Sequence, residues 1–404
     1  MLFRLAMRNV FRARARSAIT IGALFFGVAM SNILSGFVMG VGESLVAEAI
    51  ESKVGSIQVH KAGYFEKRDR QPLAFNIEQS AAFESKMKSV AHVKAITPRI
   101  TFQGLLTNGS RGTVSVITAV DPATVTEVLP KVNLYLEGTP LSADDRNGAH
   151  VGQELTRALD LKPGVPLMLS AQGLGGRDNA LDLEPRGTLI GQNPMESKRA
   201  ATVPLGFAQR LLGMENRVTE YVVAVDDVRN MNETKVALAA ALGDGYEVQT
   251  WEELRPALRD LRLVQRAILG GLSFIFLIIA LFGVANTLLM SVLERTKEIG
   301  TMLAVGMTRG TVARLFVLEA VLQAVVGGTL GMLVAITVIG LARSGGGFTV
   351  SMGAGQGVFR VMPTLLPAVP VIVIVATCIG SVVAALSPAL RAARMRPVEA
   401  LSSS

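Results

Sequence analysis

A dense cluster of charged residues stands between two long apolar runs of the chain. Its members are Glu294, Arg295, Lys297 and Glu298. Side chains of these types form ion pairs and charged contact surfaces. Ile299, Met302 and Leu303 recur at helical spacing, which predicts a short amphipathic helix. The cluster therefore belongs to a short helical connector between the two runs.

The connector also has a predicted end and a predicted continuation. Gly306 ends the short helix, and Thr308 is placed to cap the helix that follows. Glu319 lies about a turn and a half beyond Arg314 in that second helix. A carboxylate in the middle of a bilayer costs roughly 2.5–3.5 kcal/mol, and much less near a helix end. Two interpretations stay open for Glu319: placement at the membrane interface, or a role in holding the connector against its own span.

The other residues with reactive side chains show no site pattern. His60, His92 and His150 are far apart in sequence, and the one cysteine, Cys378, lies in an apolar run. The sequence contains no G-x-x-x-x-G-K-[ST] phosphate loop, no H-E-x-x-H zinc motif and no G-x-S-x-G nucleophile elbow. We therefore expect no catalytic residue, no metal site and no cofactor bound by this chain.

Four uncharged apolar runs account for much of the 50% hydrophobic content. They cover residues 17–42, 267–293, 320–342 and 361–390. A bilayer core about 30 Å thick takes roughly 20 residues of helix, so each run is long enough to cross it. The sequence predicts an integral membrane α-helical protein. Its four transmembrane helices have a 1+3 arrangement around a large α+β extracytoplasmic domain.

Basic residues beside the runs predict the orientation. Those before the first run are Arg4, Arg8, Arg12, Arg14 and Arg16. The positive-inside rule places this end in the cytoplasm, and four spans return Arg391, Arg394 and Arg396 to the same side. Because many basic residues of the +8 net charge serve these flanks, we expect no nucleic-acid partner.

The chain therefore divides into nine segments along its length. They are a basic amphipathic cytoplasmic N-terminus (1–16), a first span (17–42), an extracytoplasmic α+β domain that ends in a long helix (43–265), a second span (267–293), a cytoplasmic short helix and turn (294–313), a third span (314–342), an extracytoplasmic loop (343–360), a fourth span (361–390) and a cytoplasmic C-terminus (391–404).

The long segment between the first two spans mixes helix and strand patterns. Predicted helices cover 77–89, 155–161, 205–212 and 233–242; predicted strands cover 56–60, 96–106, 113–120, 165–170, 187–190, 221–225 and 247–250. A turn at Asn108 joins the second and third strands, and residues 171–185 are a predicted polar loop. From Trp251 a helix is predicted to run into the second span, with Pro256 in its first turn, and to form a stiff lever.

Glycines at small-residue spacing predict close helix approach in two spans. They are Gly36 and Gly40 in the first span and Gly327 and Gly331 in the third. For the first pair, the G-x-x-x-G spacing is also compatible with a dimer face.

Several stretches together match a known family. They are residues 294–300, 304–306 and 316–320 in the connector; 388–389, 391–393, 397 and 399–401 at the C-terminus; and 55–60, 63–64, 151–155 and 250–256 in the large domain. With the order of the spans, they resemble the FtsX/MacB/LolC-E type of ABC transporter permease, in its lipoprotein-release form.

The resemblance implies that ATP binding and the membrane part belong to different subunits. Two permease chains, identical or different, pair with two separate ATPase subunits that bind the ATP, so this chain is a non-catalytic subunit in the inner membrane. The large domain divides into two subdomains. The connector acts as the coupling helix on the ATPase, through Glu294, Arg295, Lys297, Glu298, Ile299, Gly300, Ala304, Gly306 and Glu319.

Two functions follow from the resemblance. In the leading one, ATP hydrolysis drives a periplasmic change that extracts or moves a lipoprotein or similar lipid-anchored, amphiphilic cargo. The loop at residues 171–185 would then contact a periplasmic carrier or an outer-membrane partner; the alternative is a flexible hairpin without that role. In the alternative, as in FtsX itself, the complex transmits force to a periplasmic cell-wall hydrolase.

Overall fold

The computed structural model describes residues 2–12, 14–67, 72–133, 136–161, 166–190, 197–351 and 358–395. The chain forms two compact units. The membrane unit comprises Met1–Glu43, Leu261–Phe348 and Arg360–Ser404; the large domain comprises Ser44–Asp260 and Thr349–Phe359.

Thirteen α-helices occur in the described part of the chain. They are α1 (Leu2–Arg12), α2 (Arg14–Ala49), α3 (Tyr64–Lys67), α4 (Ala81–Lys88), α5 (Val125–Val128), α6 (Gln153–Ala158), α7 (Leu205–Leu212), α8 (Met231–Leu242), α9 (Trp251–Leu254), α10 (Pro256–Glu294), α11 (Thr296–Ala304), α12 (Arg309–Ser344) and α13 (Ala368–Ala393). Four of them are long and apolar enough to cross a membrane: α2 with its π-helical extension to Val54, α10, α12 and α13.

Most strands of the large domain belong to one mixed sheet. The strands are β1 (Ile57–Lys61), β2 (Ile77–Glu78), β3 (Val93–Thr107), β4 (Gly112–Val120), β5 (Leu136–Gly138), β6 (Gly148–Gly152), β7 (Leu167–Gln172), β8 (Asp178–Leu189), β9 (Ala200–Pro204), β10 (Arg217–Val218), β11 (Glu220–Val225), β12 (Tyr246–Thr250), β13 (Phe348–Ser351) and β14 (Val358–Val361). The order in the large sheet is β12-β1-β11-β3-β4-β9-β6-β8-β5, and β7 pairs with β3 and β8.

One face of this sheet carries the main hydrophobic core. Alternate residues of a strand point to opposite faces. Ile57 and Val59 of β1, Ile100 of β3 and Ile117 of β4 belong to that core and are 0% exposed. The opposite face carries the intervening, more polar residues.

Several sequence predictions for the large domain are confirmed. The β3–β4 hairpin forms around Asn108, whose Oδ1 accepts hydrogen bonds from the backbone N–H groups of Ser110 (2.9 Å) and Arg111 (2.7 Å). Helix α7 has the predicted bounds. Helix α6 begins two residues before the predicted 155–161 and ends at Ala158; the stop predicted at residues 162–164 lies outside the described residues.

Three predictions in the large domain are wrong. The helix predicted at 77–89 begins only at Ala81, because Ser80 caps it with an acceptor for the Phe83 N–H and residues 77–78 pair as a strand. The predicted loop at 171–185 is mostly hairpin, because its polar residues extend β8 on the exposed face. The helix from Trp251 breaks at Arg255 (φ −128°, ψ 67°), and the lever helix starts at Pro256.

The spans also differ from their predicted bounds. The fourth begins at Ala368, because Val361 belongs to β14 and the prolines that follow it delay the helix. At the connector, Glu294 is the last residue of α10, and α12 already begins at Arg309. The C-terminal motif at 397 and 399–401 lies outside the described residues.

The four packing glycines all lie against other segments of the same chain. An added Cβ on Gly327 would lie 2.7 Å from the carbonyl oxygen of Ile21. An added Cβ on Gly331 would lie 2.6 Å from the carbonyl oxygen of Phe25, so α12 packs closely on α2. A Cβ on Gly36 would be 2.5 Å from Ile339 Cδ1, and on Gly40 2.3 Å from the Met362 carbonyl oxygen.

The first-span glycines therefore do not offer the dimer face that their spacing allowed. The Thr364 N–H donates to the Gly36 carbonyl at 3.0 Å, so the chain's own approach to α13 occupies this surface. Backbone groups outside a helix need hydrogen-bond partners at membrane depth. The small residues of α2 let the segment before α13 come close enough to make this bond.

A leucine at position 331 should destabilise the membrane unit by about 1–3 kcal/mol, the usual cost of overpacking. The backbone of α2 stands where the new side chain would lie. Gly340→Leu is the matched control, because an added Cβ there has no neighbour within 4 Å. Thermal unfolding of the detergent-solubilised chain measures both, and equal melting temperatures would contradict the close packing.

Candidate functional site: the connector between the second and third spans

The connector is a short helix with a defined stop. Just after the end of α11, the Met307 N–H donates to the Met302 carbonyl (3.0 Å) and the Gly306 N–H donates to the Leu303 carbonyl (3.1 Å). This is the Schellman pattern, with Gly306 at a φ of +101° that favours glycine. Thr308 then caps α12, since its Oγ1 accepts from the Thr311 N–H at 3.4 Å, as the sequence predicts.

The charged residues of the connector form ion pairs within the chain. Glu294 pairs with Arg16, and Glu298 pairs with Arg12 Nη1 at 2.9 Å. Arg295 donates from Nε to Glu298 Oε2 at 2.9 Å, and its Nη1 lies 3.8 Å from Glu319 Oε2. These pairs connect the N-terminal part of the connector to the N-terminal arginines and to α12.

The electrostatics of the connector follow from these pairs. The hydrogen bond from Arg295, together with the charges of Arg295 and Arg12, lowers the pKa of Glu298 below its ordinary value, against a smaller effect of burial. Glu298 is therefore a carboxylate at neutral pH. Its side chain is 40% exposed, so solvent screens the pairs that it makes.

The apolar side of α11 packs into the membrane unit. Ile299 is 0% exposed and belongs to one cluster with Val292, Val312, Phe316 and Ala389. Gly300 is also buried. Ile299 and Gly300 therefore anchor the helix to its own chain, and the coupling role that the family resemblance implied for them stays a prediction.

The opposite side of the connector is open to solvent. We call it the connector tip: Lys297, Thr301, Ala304, Val305 and Gly306, all exposed. Val305 is 83% exposed, more than any other large hydrophobic residue in the described part of the chain. Of the predicted coupling residues, Lys297, Ala304 and Gly306 lie on this tip. Glu294, Arg295, Glu298 and Glu319 lie in the ion-pair network.

Sequence reasoning used Arg12 and Arg16 for orientation alone and missed their pairing. The two arginines are four residues apart, as are Glu294 and Glu298. Opposite charges at matching helical spacing are the signal for this contact between distant segments. Among the described residues, no group of three or more His, Cys, Asp or Glu side chains is placed to hold a metal ion.

Two family models match this chain. Residues 17–241 match the MacB-like periplasmic core domain, and residues 270–397 match the FtsX-like permease C-terminal. The chain belongs to the MacB/FtsX-like family of ABC transporter permeases. Its fold class, membrane helices around a large mixed α/β domain between the first two, is the architecture of that family.

Individual relatives match parts of the chain. The pyoverdine export ATP-binding/permease protein PvdT of Pseudomonas fluorescens is 31% identical over 277 residues, which are 65% of this chain and 39% of that protein. The uncharacterized ABC transporter permease YknZ of Bacillus subtilis is 30% identical over 206 residues, 49% of this chain and 48% of that protein. The macrolide export ATP-binding/permease protein MacB of Nitrobacter winogradskyi is 29% identical over 226 residues, 54% of this chain and 33% of that protein. The matches span between 33% and 48% of the length of these three curated relatives.

Solved structures of two extramembrane regions are also similar. The extracellular domain of YknZ from Gram-positive bacteria has a TM-score of 0.35 at 13% identity, covering 48% of this chain and 100% of that one. The periplasmic region of MacB from Actinobacillus actinomycetemcomitans has a TM-score of 0.35 at 11% identity, covering 50% and 92%.

Proposed function

We propose that this chain is the permease subunit of an ABC complex in which a separate ATPase subunit acts on the connector tip. The work done there changes the large domain across the membrane and extracts or moves a lipoprotein or a similarly amphiphilic cargo. The observation that carries the proposal is the two-sidedness of α11. One side is anchored through Ile299, and the other presents an exposed apolar residue, Val305.

The chemistry of the tip fits a protein partner. An exposed valine at the end of a helix costs solvation free energy unless a partner covers it. Lys297 and Arg309 lie on the exposed side near it. The matching surface is an apolar pocket with an acidic rim, a common arrangement for a small interface anchor.

The remaining partners are proposals by family. The names of PvdT and MacB include an ATP-binding part. The name of YknZ includes only a permease, and we propose the same division here, with ATP binding on a separate subunit. A second permease copy, identical or different, completes the membrane part. The turn between β7 and β8 takes the place of the predicted loop as the contact for a periplasmic carrier. We place the chain in the inner membrane with both termini in the cytoplasm.

Val305→Asp should remove the ATPase from the complex. A carboxylate buried against an apolar pocket loses several kcal/mol, and each 1.4 kcal/mol is tenfold in affinity, so we expect at least about a tenfold loss of co-purified ATPase. Val228→Asp is the matched control, because Val228 is 52% exposed and lies in the large domain. The complex is purified from its native membrane and its ATPase content and activity are measured.

The same purification distinguishes the two functions. Recovery of a lipid-anchored protein or a carrier with the wild-type complex supports movement of cargo, and recovery of a cell-wall hydrolase supports force transmission. If Val305→Asp retains the ATPase at the level of Val228→Asp, the connector tip is not the docking surface.

A further inference from the structure

The second face of the large sheet carries polar residues in register across several strands. His60 of β1 pairs in register with Glu220 of β11, and Glu220 with Arg99 of β3. Thr101 lies two residues further along β3 and starts a second row. It pairs in register with Thr118 of β4, Thr118 with Thr202 of β9, and Thr202 with His150 of β6. We call these two rows the polar floor.

A polar sheet face in an antiparallel or mixed sheet is ordinarily turned to water. Here much of it is covered: His60 is 1% exposed, Glu220 3%, Arg99 8% and His150 3%. Glu220 Oε1 accepts from Arg99 Nε at 2.5 Å, and Glu220 Oε2 lies 3.5 Å from His60 Nε2. Burying charged groups is costly and seldom needed for stability, so this face calls for another explanation.

Apolar segments cover the floor from the other side. They include Tyr64, whose ring stacks on His60 at 4.4 Å between centroids, and Leu73 beyond it. On the β4 side, Val125 of α5 and Leu129 just after α5 belong to this cover, which the Thr97–Thr124 hydroxyl contact at 2.8 Å holds to β3. The floor donates and accepts hydrogen bonds, and the cover is mainly hydrocarbon.

Between floor and cover lies a cavity of ≈1140 Å³. Small-molecule sites in proteins are commonly about 300–1,000 Å³. The charged residues in its described lining are Lys53, Arg99, Arg199 and Arg255, against the single acid Glu220. The cavity therefore combines an excess of positive charge with one polar and one apolar wall.

We propose that this cavity binds a small anionic amphiphile: a molecule with a carboxylate and an apolar body. Arg199 in the lining binds the acid group, the threonine and histidine rows form hydrogen bonds with its polar edge, and the cover packs on its hydrocarbon. The proposal is independent of the connector and its ATPase, because the cavity lies wholly within the large domain.

The single tryptophan of the chain is a native reporter for this cavity. Trp251 is 1% exposed, and Leu254 and Arg255, one helical turn further, line the cavity. The full-length chain in lipid nanodiscs is titrated with octanoate, with octyltrimethylammonium as the cationic control and octanol as the neutral one. We expect a saturable change of Trp251 fluorescence with octanoate and at least tenfold weaker binding of the cation.

Two variants test whether the response comes from the cavity. Ala200 lines it, in register with Val116 of β4, and Ala200→Leu fills it, so octanoate binding should weaken at least tenfold. The matched control is Ala240→Leu, on the exposed side of α8, which should bind as the wild type does. If Ala200→Leu lowers the melting temperature of the domain, Thr118→Leu replaces it as a second filling substitution of the polar floor.

These measurements distinguish binding in the cavity from partition of the probe into the lipid. A saturable, anion-selective response that is lost on filling and kept in Ala240→Leu supports the site. A response without saturation, an equal response to all three probes, or equal affinity in the filled and control variants overturns it, because each is what partition into the lipid produces.

Discussion

Glu220→Gln should lower the free energy of unfolding of the large domain by about 3–5 kcal/mol. Glu220 is 3% exposed and accepts hydrogen bonds from Arg99 Nε (2.5 Å) and Thr101 Oγ1 (2.9 Å). Glutamine keeps the shape but leaves the 8%-exposed Arg99 without its countercharge. Breaking a buried ion pair by removal of one partner has that cost. Denaturant unfolding of the full-length chain, followed by Trp251 fluorescence, measures it.

An exposed carboxylate of the same domain is the matched control. Glu184 has a side chain that is 66% exposed and lies 3.1 Å from Arg186. Exposed pairs contribute about 0–1 kcal/mol, so Glu184→Gln should barely change the transition. Equal stability losses in the two variants would show that burial of the Arg99–Glu220 pair has no energetic consequence.

The stability difference between the wild type and Glu220→Gln should depend on pH. Burial opposes ionisation of Glu220, but the charges of Arg99 and His60 and the hydrogen bonds from Arg99 and Thr101 outweigh it and lower its pKa below 4.5. A group with a depressed folded pKa contributes stability above its unfolded pKa. The difference should therefore be full at neutral pH and shrink as the pH falls below about 4.5 through the folded pKa. Unfolding curves of both proteins across this range measure it, and a constant difference contradicts the ion pair.

Local features of the sequence were enough to predict many elements. The four spans follow from composition, because each apolar run is long enough to cross a bilayer as a helix. The β3–β4 hairpin, helix α7 and the Thr308 cap follow from residues within a few positions of one another, namely a turn, an apolar period and a hydroxyl before a helix. Local preference and tertiary context agree at these places.

The errors occur where tertiary pairing outweighs composition. Residues 171–185 are rich in Gly, Asp and Asn, which favour loops. Their backbone nevertheless pairs with β7, because β8 extends an existing sheet and its polar side chains face outward. The start of the fourth span was misplaced because an apolar run carries no sign that Val361 belongs to a β-ribbon.

The two functional features depend on contacts that the sequence analysis did not predict. The partners of the connector are Arg12 and Arg16, more than 270 residues away in sequence. His60 was predicted to be an ordinary strand or surface residue, and its strand was placed correctly. The rings of Tyr64 and Phe65 in α3 lie against it, and α5 covers the β4 side, so the burial of the polar floor depends on how these two helices fold over the sheet.

The second large effect is expected at Arg295. Its guanidinium is 17% exposed and links Glu298, by a hydrogen bond of 2.9 Å, to Glu319, whose side chain is 4% exposed. Arg295→Met keeps the length of the side chain but removes a charged hydrogen bond, which contributes about 1.5–3 kcal/mol. It also removes a countercharge from a buried carboxylate. The folding equilibrium of the membrane unit should fall roughly 10–150-fold, measured by thermal or denaturant unfolding.

Two further variants separate the buried contact from the exposed one. Arg12→Met breaks a pair whose arginine is 70% exposed and should cost less than about 1 kcal/mol. Glu319→Gln in the Arg295→Met background removes the uncompensated charge, so the double variant should recover part of the loss. A double variant whose loss equals the sum of the two single losses would show that Arg295 and Glu319 do not interact. If the connector transmits work from an ATPase, Arg295→Met should also retain ATP hydrolysis while cargo movement falls, because the tip keeps its docking surface but loses a rigid attachment to α12.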